Sequence, residues 1–105
     1  MELSIEDLRK QTRVEWTEED VLLEQYGKAA VSSVLAYTGR TEEELRAANV
    51  ERGGSDEVPH AVRVAALMLA AHWYRCREAV AGLSQATVPY GVEWLLRPWT
   101  KLTED

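Results

Sequence analysis

The chain of 105 residues has a single cysteine, no phenylalanine and only 12 basic residues against 18 acidic ones, a formal net charge of -6. One cysteine, Cys76, forms no internal disulfide, so a disulfide scaffold is excluded and a reducing compartment suffices. The shortage of Lys and Arg argues against a protein that grips phosphate backbones, because that affinity comes from clustered cations displacing counterions. Long hydrophobic runs are also missing. The longest, residues 64–71, is bracketed by Arg63 and His72 and falls far short of the ~20 residues that span a bilayer. Residues 1–10 mix charged and apolar side chains without the apolar stretch of a secretory signal, so the expectation is a protein made in the cytoplasm with no membrane partner. No segment alternates convincingly as a strand, and there is neither an internal repeat nor a low-complexity tract. The length suits one domain with a modest core.

What is present is helical punctuation. A hydroxyl followed by acids opens three segments: Ser4-Ile5-Glu6-Asp7, Thr17-Glu18-Glu19-Asp20 and Thr41-Glu42-Glu43-Glu44. A hydroxyl at the N-cap accepts from a free backbone N–H, and first-turn carboxylates meet the positive end of the helix dipole. The pattern predicts a short helix over residues 5–11, a long one over 18–38 stopped by Gly39, and a third over 42–49. A polar loop, residues 51–57, then leads to Pro59 at the first position of a fourth helix running to residue 80.

The fourth helix carries an apolar stripe of Val62, Ala65, Ala66, Leu69, Trp73, Cys76 and Val80, with Arg63, Arg75, Arg77 and Glu78 on the solvent side. In the first half of the long helix the stripe is Leu22, Tyr26 and Ala29. Its second half is small or apolar at nearly every position and is expected to be covered on most sides. Ala29, Ala30, Ser33 and Tyr37, together with Leu69 and Trp73, are read as residues that pack the core or seat a neighbouring subunit. The fold class is all-α, a small helical bundle with two long helices, two short ones and an apolar C-terminal tail. One core holds Leu22, Tyr26, Val34, Val62, Leu69 and Trp73.

The tail, residues 89–99, crowds Tyr90, Trp94, Leu95, Leu96 and Trp99 into a short space. Large apolar side chains left in water mark interfaces, so these five are expected to bind a partner outside the subunit's own core. The alternative is a tail folded back over its own fourth helix. The corresponding division is a helical domain over residues 1–82 and a docking tail of the same domain over residues 83–105.

Little in the sequence points to catalysis. His72 and Cys76 stand at i, i+4, a spacing that presents two metal ligands or a thiol beside a base, but His60 is the only other soft donor and lies three turns away. Cys76 falls on the apolar stripe, where cysteine behaves as a small hydrophobe. The carboxylates sit at helix starts, where capping accounts for them. Gly53-Gly54 follows no strand and precedes no GK[ST] element. The expectation is no enzyme, no metal and no cofactor.

The stretch Val58-Pro59-His60-Ala61-Val62-Arg63-Val64-Ala65-Ala66-Leu67-Met68-Leu69-Ala70-Ala71-His72-Trp73-Tyr74-Arg75-Cys76-Arg77-Glu78-Ala79 resembles the signature helix of the phage head-tail connector family. Two further features agree, in the family's order: a long helix ending in Ala36-Tyr37-Thr38-Gly39-Arg40, and Val88-Pro89-Tyr90-Gly91-Val92-Glu93-Trp94-Leu95-Leu96-Arg97-Pro98-Trp99, where Trp99 and Thr100 replace the usual Tyr and Arg. The resemblance implies an adaptor, or head-completion, protein of a tailed double-stranded DNA phage, prophage or gene transfer agent. It would form a homo-oligomeric ring below the portal protein, about twelve copies if portal symmetry is kept. The ring would extend the DNA channel without specific DNA binding and receive a stopper or tail-completion protein in the virion neck after packaging. A small helical regulatory or DNA-binding protein of a prophage is the competing reading, but such domains present a basic recognition helix. Here Arg63, Arg75 and Arg77 are the only cluster.

Overall fold

The computed structural model describes residues 1–13, 17–76 and 90–101. Among these residues there are five α-helices and no strand: α1 (Ile5–Thr12), α2 (Asp20–Thr38), α3 (Glu42–Glu51), α4 (His60–Arg75) and α5 (Tyr90–Leu96), the last continued by a 3-10 turn (Arg97–Trp99). The chain is all-α.

Two of the three hydroxyl-acid openings act as read. Ser4 Oγ accepts from Asp7 N at 3.1 Å. At α3 a full capping box forms, with Glu44 N donating to Thr41 Oγ1 at 3.1 Å and Thr41 N donating to Glu44 Oε1 at 2.8 Å. The third does not cap. α2 begins at Asp20, after Glu19 and without a side-chain cap; Asp20, the acid three residues on from Thr17, is held instead by Arg9 of α1, and Glu19 accepts from the Tyr74 hydroxyl of α4. A tertiary hydrogen bond displaces the local one. At the other end of α2, Gly39 adopts φ 69°, a left-handed conformation that a side chain would oppose, and its N–H returns to Leu35 and Ala36.

α2 and α4 form the central pair, with α1 packed on both and α5 packed mainly on α4. Their shared core contains Leu8, Leu23, Ala30, Val34, Leu45, Val62, Ala65, Ala66, Leu69, Ala70, Tyr74, Val92 and Leu96. Val34, Val62 and Leu69 take the core positions expected of them. Leu22, Tyr26 and Trp73 are only half-buried against its edge.

The buried line of α2 is Leu23, Gly27, Ala30, Val34 and Thr38, one residue round from the expected Leu22, Tyr26 and Ala29 stripe. The reason is steric. A backbone closes on its neighbours where side chains are smallest, and Leu8 of α1 lies against Gly27, where an added Cβ would come within 3.0 Å of Leu8 Cδ1. Larger Leu22 and Tyr26 are pushed to the border of the contact, and Ala29 faces solvent.

On α4 the inner line follows Val62, Ala65, Ala66 and Leu69 but ends on Ala70 and Tyr74 rather than on Trp73. Pro59 is the N-cap, not the first helical residue, and α4 closes at Arg75 with Cys76 as its C-cap at φ -104°, ψ 14°. This is short of the expected residue 80, since Cys76 has left helical dihedrals. The readings of Arg77, Glu78 and Val80 lie outside the described residues.

Arginines fasten the shell to this pair. Arg9 of α1 holds Asp20 of α2 through one guanidinium edge, Nε to Oδ1 at 3.0 Å and a second bond from Nη2 to Oδ2. Bidentate pairing of this kind sets angle as well as distance. Arg63 of α4 reaches α1, donating to Asp7 Oδ2 at 2.7 Å and to the Glu2 carbonyl at 3.2 Å.

The polar loop after α3 is exposed throughout residues 52–57, yet it is stapled at its base. Asn49 Nδ2 donates to the carbonyls of Ser55 and Glu57 at 3.1 and 3.0 Å.

These contacts predict acid sensitivity. The Asp7 carboxyl is held below its ordinary value by the hydrogen bond from Arg63 and then by that from Ser4. Glu42 is lowered by the Met1 ammonium, and Glu44 by the Thr41 N–H. A carboxylate with a depressed folded-state pKa adds stability above its unfolded value, and that contribution is lost as pH falls through the folded value. Stability is therefore expected to drop as pH falls below about 4. Asp7→Asn should lower the midpoint at neutral pH and flatten that acid limb, measured by urea denaturation at stepped pH. An unchanged acid limb would show that Asp7 is not one of the groups responsible.

Candidate functional site

The C-terminal segment is the part of the chain that its sequence marked for partners, and its geometry divides it in two. Spaced at i, i+4, Val92 and Leu96 turn toward α4 and are 0% and 1% exposed. Leu95 and Trp99 pack on the edge of the same core. Residues 90–96 thus fold back over their own fourth helix, and the expectation that this segment docks outside the subunit's own core is corrected for Leu96. Leu96 in particular is a core residue here. An amphipathic segment buries its apolar face against the nearest matching one, and the Leu69 side of α4 lies within the same chain.

Beyond α5 the chain is tied to the ends of α2 and α3. Lys101 N donates to the Thr38 carbonyl at 2.7 Å, giving a C-terminal carbonyl of α2 the partner that its own helix cannot supply. Arg40 Nε donates to the Trp99 carbonyl at 2.9 Å, and Arg52 donates to the Pro98 carbonyl at 2.6 Å. The Arg52 guanidinium also stacks 4.1 Å from the centre of the Trp99 ring, a cation–π contact. Trp99 is thereby committed to its own subunit.

Trp94 is different. It projects from the opposite face of α5 and is 57% exposed, with the Arg97 guanidinium 5.9 Å from its ring centre. Beside it Glu93 Oε1 accepts from the Tyr37 hydroxyl of α2 at 3.4 Å. Among Trp94, Leu95, Leu96 and Trp99 of the expected partner-binding set, Trp94 is the member that the fold leaves at the surface. Tyr90 opens α5.

The packing residues expected on α2 also separate. Ala30 is fully buried, Ser33 and Tyr37 are half-buried, and Ala29 faces solvent with Ser32 and Ala36. Within the subunit the second half of α2 is therefore open on one face. Alanine and serine leave little apolar area in water, so the uncovered face costs little. Leu69 is 2% exposed in the centre of the core, and Trp73 is half-buried at its edge.

Leu23 and Val92 are core residues beyond those read from the sequence, although Val92 sits at i, i+4 from Leu96, and Leu8, at i, i+3 from Ile5, joins them. Those spacings were the available signal.

Cys76 Sγ lies 4.0 Å from His72 Nδ1, and His60 is exposed at the far end of α4. Among the described residues no group of three or more His, Cys, Asp or Glu could hold a metal ion. No helix among them is long and apolar enough to cross a membrane.

The comparisons with known proteins supply the class: the family model described as phage gp6-like head-tail connector protein matches residues 2–100. The chain belongs to that family, a class of phage structural connectors rather than of enzymes. No curated protein and no solved structure matches it.

Proposed function

We propose that the chain assembles as a ring below the portal in the virion neck, extends the channel through which DNA passes, and receives a stopper or tail-completion protein once the head is full. The carrying observation is the family match over residues 2–100, nearly the whole chain. Portal symmetry implies about twelve copies. An acidic subunit suits a channel component, because repulsion lets a duplex slide where a basic wall would grip it. The regulatory DNA-binding reading is weaker, since Arg63, a third of its basic cluster, is committed to Asp7 and to the Glu2 carbonyl.

A clean deletion tests the proposal. DNA-filled heads that leak and lack tails are the expected product, seen by negative-stain microscopy and by nuclease sensitivity of the packaged DNA. Infectious particles at normal yield, or heads that never begin packaging, would reject it.

A further inference from the structure

The molecule carries a knob on one flank and a groove on the other. α1 and the N-terminal segment meet α4 at Arg63, whereas α5 meets it at Met68, whose Cε would lie 3.3 Å from a Cβ built on Gly91. Five residues at 100° each place these two contacts about 140° apart around α4. The same separation recurs on α2. Val31 lines the N-terminal side and Tyr37 the α5 side, six residues and about 120° apart. The α2–α4 pair therefore stands between the two flanks.

On the N-terminal flank a groove of about 300 Å³ runs between residues 1–3 and α2. Its half-buried lining is apolar, from Met1, Leu3 and Val31, and its exposed rim carries Glu2, Glu24 and Lys28. On the α5 flank stands Trp94, 57% exposed, with Arg97 beside its ring. The chemistries match: an indole for the apolar lining, a guanidinium for the two rim carboxylates, and Glu93 for Lys28.

We propose that Trp94 of one copy inserts into the Met1–Leu3–Val31 groove of the next, with Arg97 set against Glu2 and Glu24. Because knob and groove belong to different flanks, the contact is heterologous. Repeated with a closing rotation it builds a ring, and without closure a filament. The assignment rests on the ring reading above and adds which surfaces form the subunit contact. A large aromatic seated in a pocket with an adjacent arginine is the composition of an interface hot spot.

The test uses the full chain assembled on DNA-filled heads, with the photo-crosslinker benzoylphenylalanine replacing Trp94. Irradiation is expected to join two copies of the chain, with the crosslink mapping by mass spectrometry to residues 1–3 or 24–32. Crosslinks to portal, to DNA or elsewhere on the chain, or none at all, would overturn the assignment. Ser32→Trp provides a second arm, filling the groove from an exposed position. It should leave the melting temperature of the isolated subunit unchanged and reduce incorporation into heads roughly tenfold or more. Incorporation at the normal level would count against the proposal. Arg97→Glu should likewise reduce incorporation, and Glu24→Arg in the same chain should restore it. Failure to restore would remove the charge pairing from the assignment. If the deletion phenotype holds and the crosslink goes elsewhere, only this contact fails. If the deletion strain is normal, the ring reading fails first.

Discussion

A chain stopped after Val88 is expected to lose most of its folding stability, because the segment it lacks supplies part of the subunit's own core. Val92 and Leu96 are 0% and 1% exposed. Each fully buried aliphatic side chain contributes about 1.5–3 kcal/mol, so the pair accounts for roughly 3–6 kcal/mol, against about 5–15 kcal/mol for the total stability of a typical domain. The truncation also removes the Lys101 N–H from the Thr38 carbonyl and the partners of Arg40 and Arg52. It uncovers the side of α4 on which α5 rests. The expected observation is a melting transition lowered by tens of degrees or abolished, with self-association of the exposed helices. Trp94→Ala is the control. More than half of its side chain is in water, so its loss should cost far less stability than the truncation. A truncated chain that melted like the full one would show that α5 is a detachable arm.

Leu69→Ala should be the most damaging single truncation in α4, costing about 2–5 kcal/mol in urea or thermal denaturation. Leu69 is 2% exposed and belongs to the core that unites α1, α2, α4 and α5. Removing its branched end leaves a void that these elements cannot all close at once. Leu22→Ala offers the comparison. Half-buried at the core's edge, it should cost clearly less, since water and neighbouring side chains refill the space. Equal losses for the two would mean that the large-residue stripe, and not the Leu23 line, faces the core of α2.

The difference between those two stripes shows where sequence reading stops. Periodicity marked α2 as amphipathic, but ranking residues by size selected Leu22 and Tyr26. The contact was instead set by Gly27 and Ala30, whose smallness lets neighbouring helices close. Size shows what a residue can bury; which side is buried depends on where α1 and α4 lie. The Thr17 opening teaches the same lesson electrostatically. Its local pattern is close to that of Thr41, yet its third acid, Asp20, is held by Arg9 of α1, and Glu19 answers to Tyr74, fifty-five residues away. The Arg63–Asp7 and Arg52–Trp99 contacts are of this nonlocal kind too.

For the candidate surfaces, composition identified a segment too apolar to stand in water, and the fold separated its members. Val92 and Leu96, four residues apart, share one helix face and turned inward, whereas Trp94, two residues from each, falls on the other face and turned outward. Opposite flanks for Trp94 and the N-terminal groove exist only once α1 and α5 have docked on either side of the central pair.

By itself, the sequence determined the all-α class, the hydroxyl caps at Ser4 and Thr41, the stop at Gly39 and the connector resemblance. These are signals written within a few residues or in the order of motifs, and backbone hydrogen bonding reads them locally. Tertiary structure alone decided which face of α2 is buried, that α5 returns to its own α4, and that Trp94 remains exposed. Those choices depend on contacts between residues distant in the chain, whose energies exist only after the helices have met.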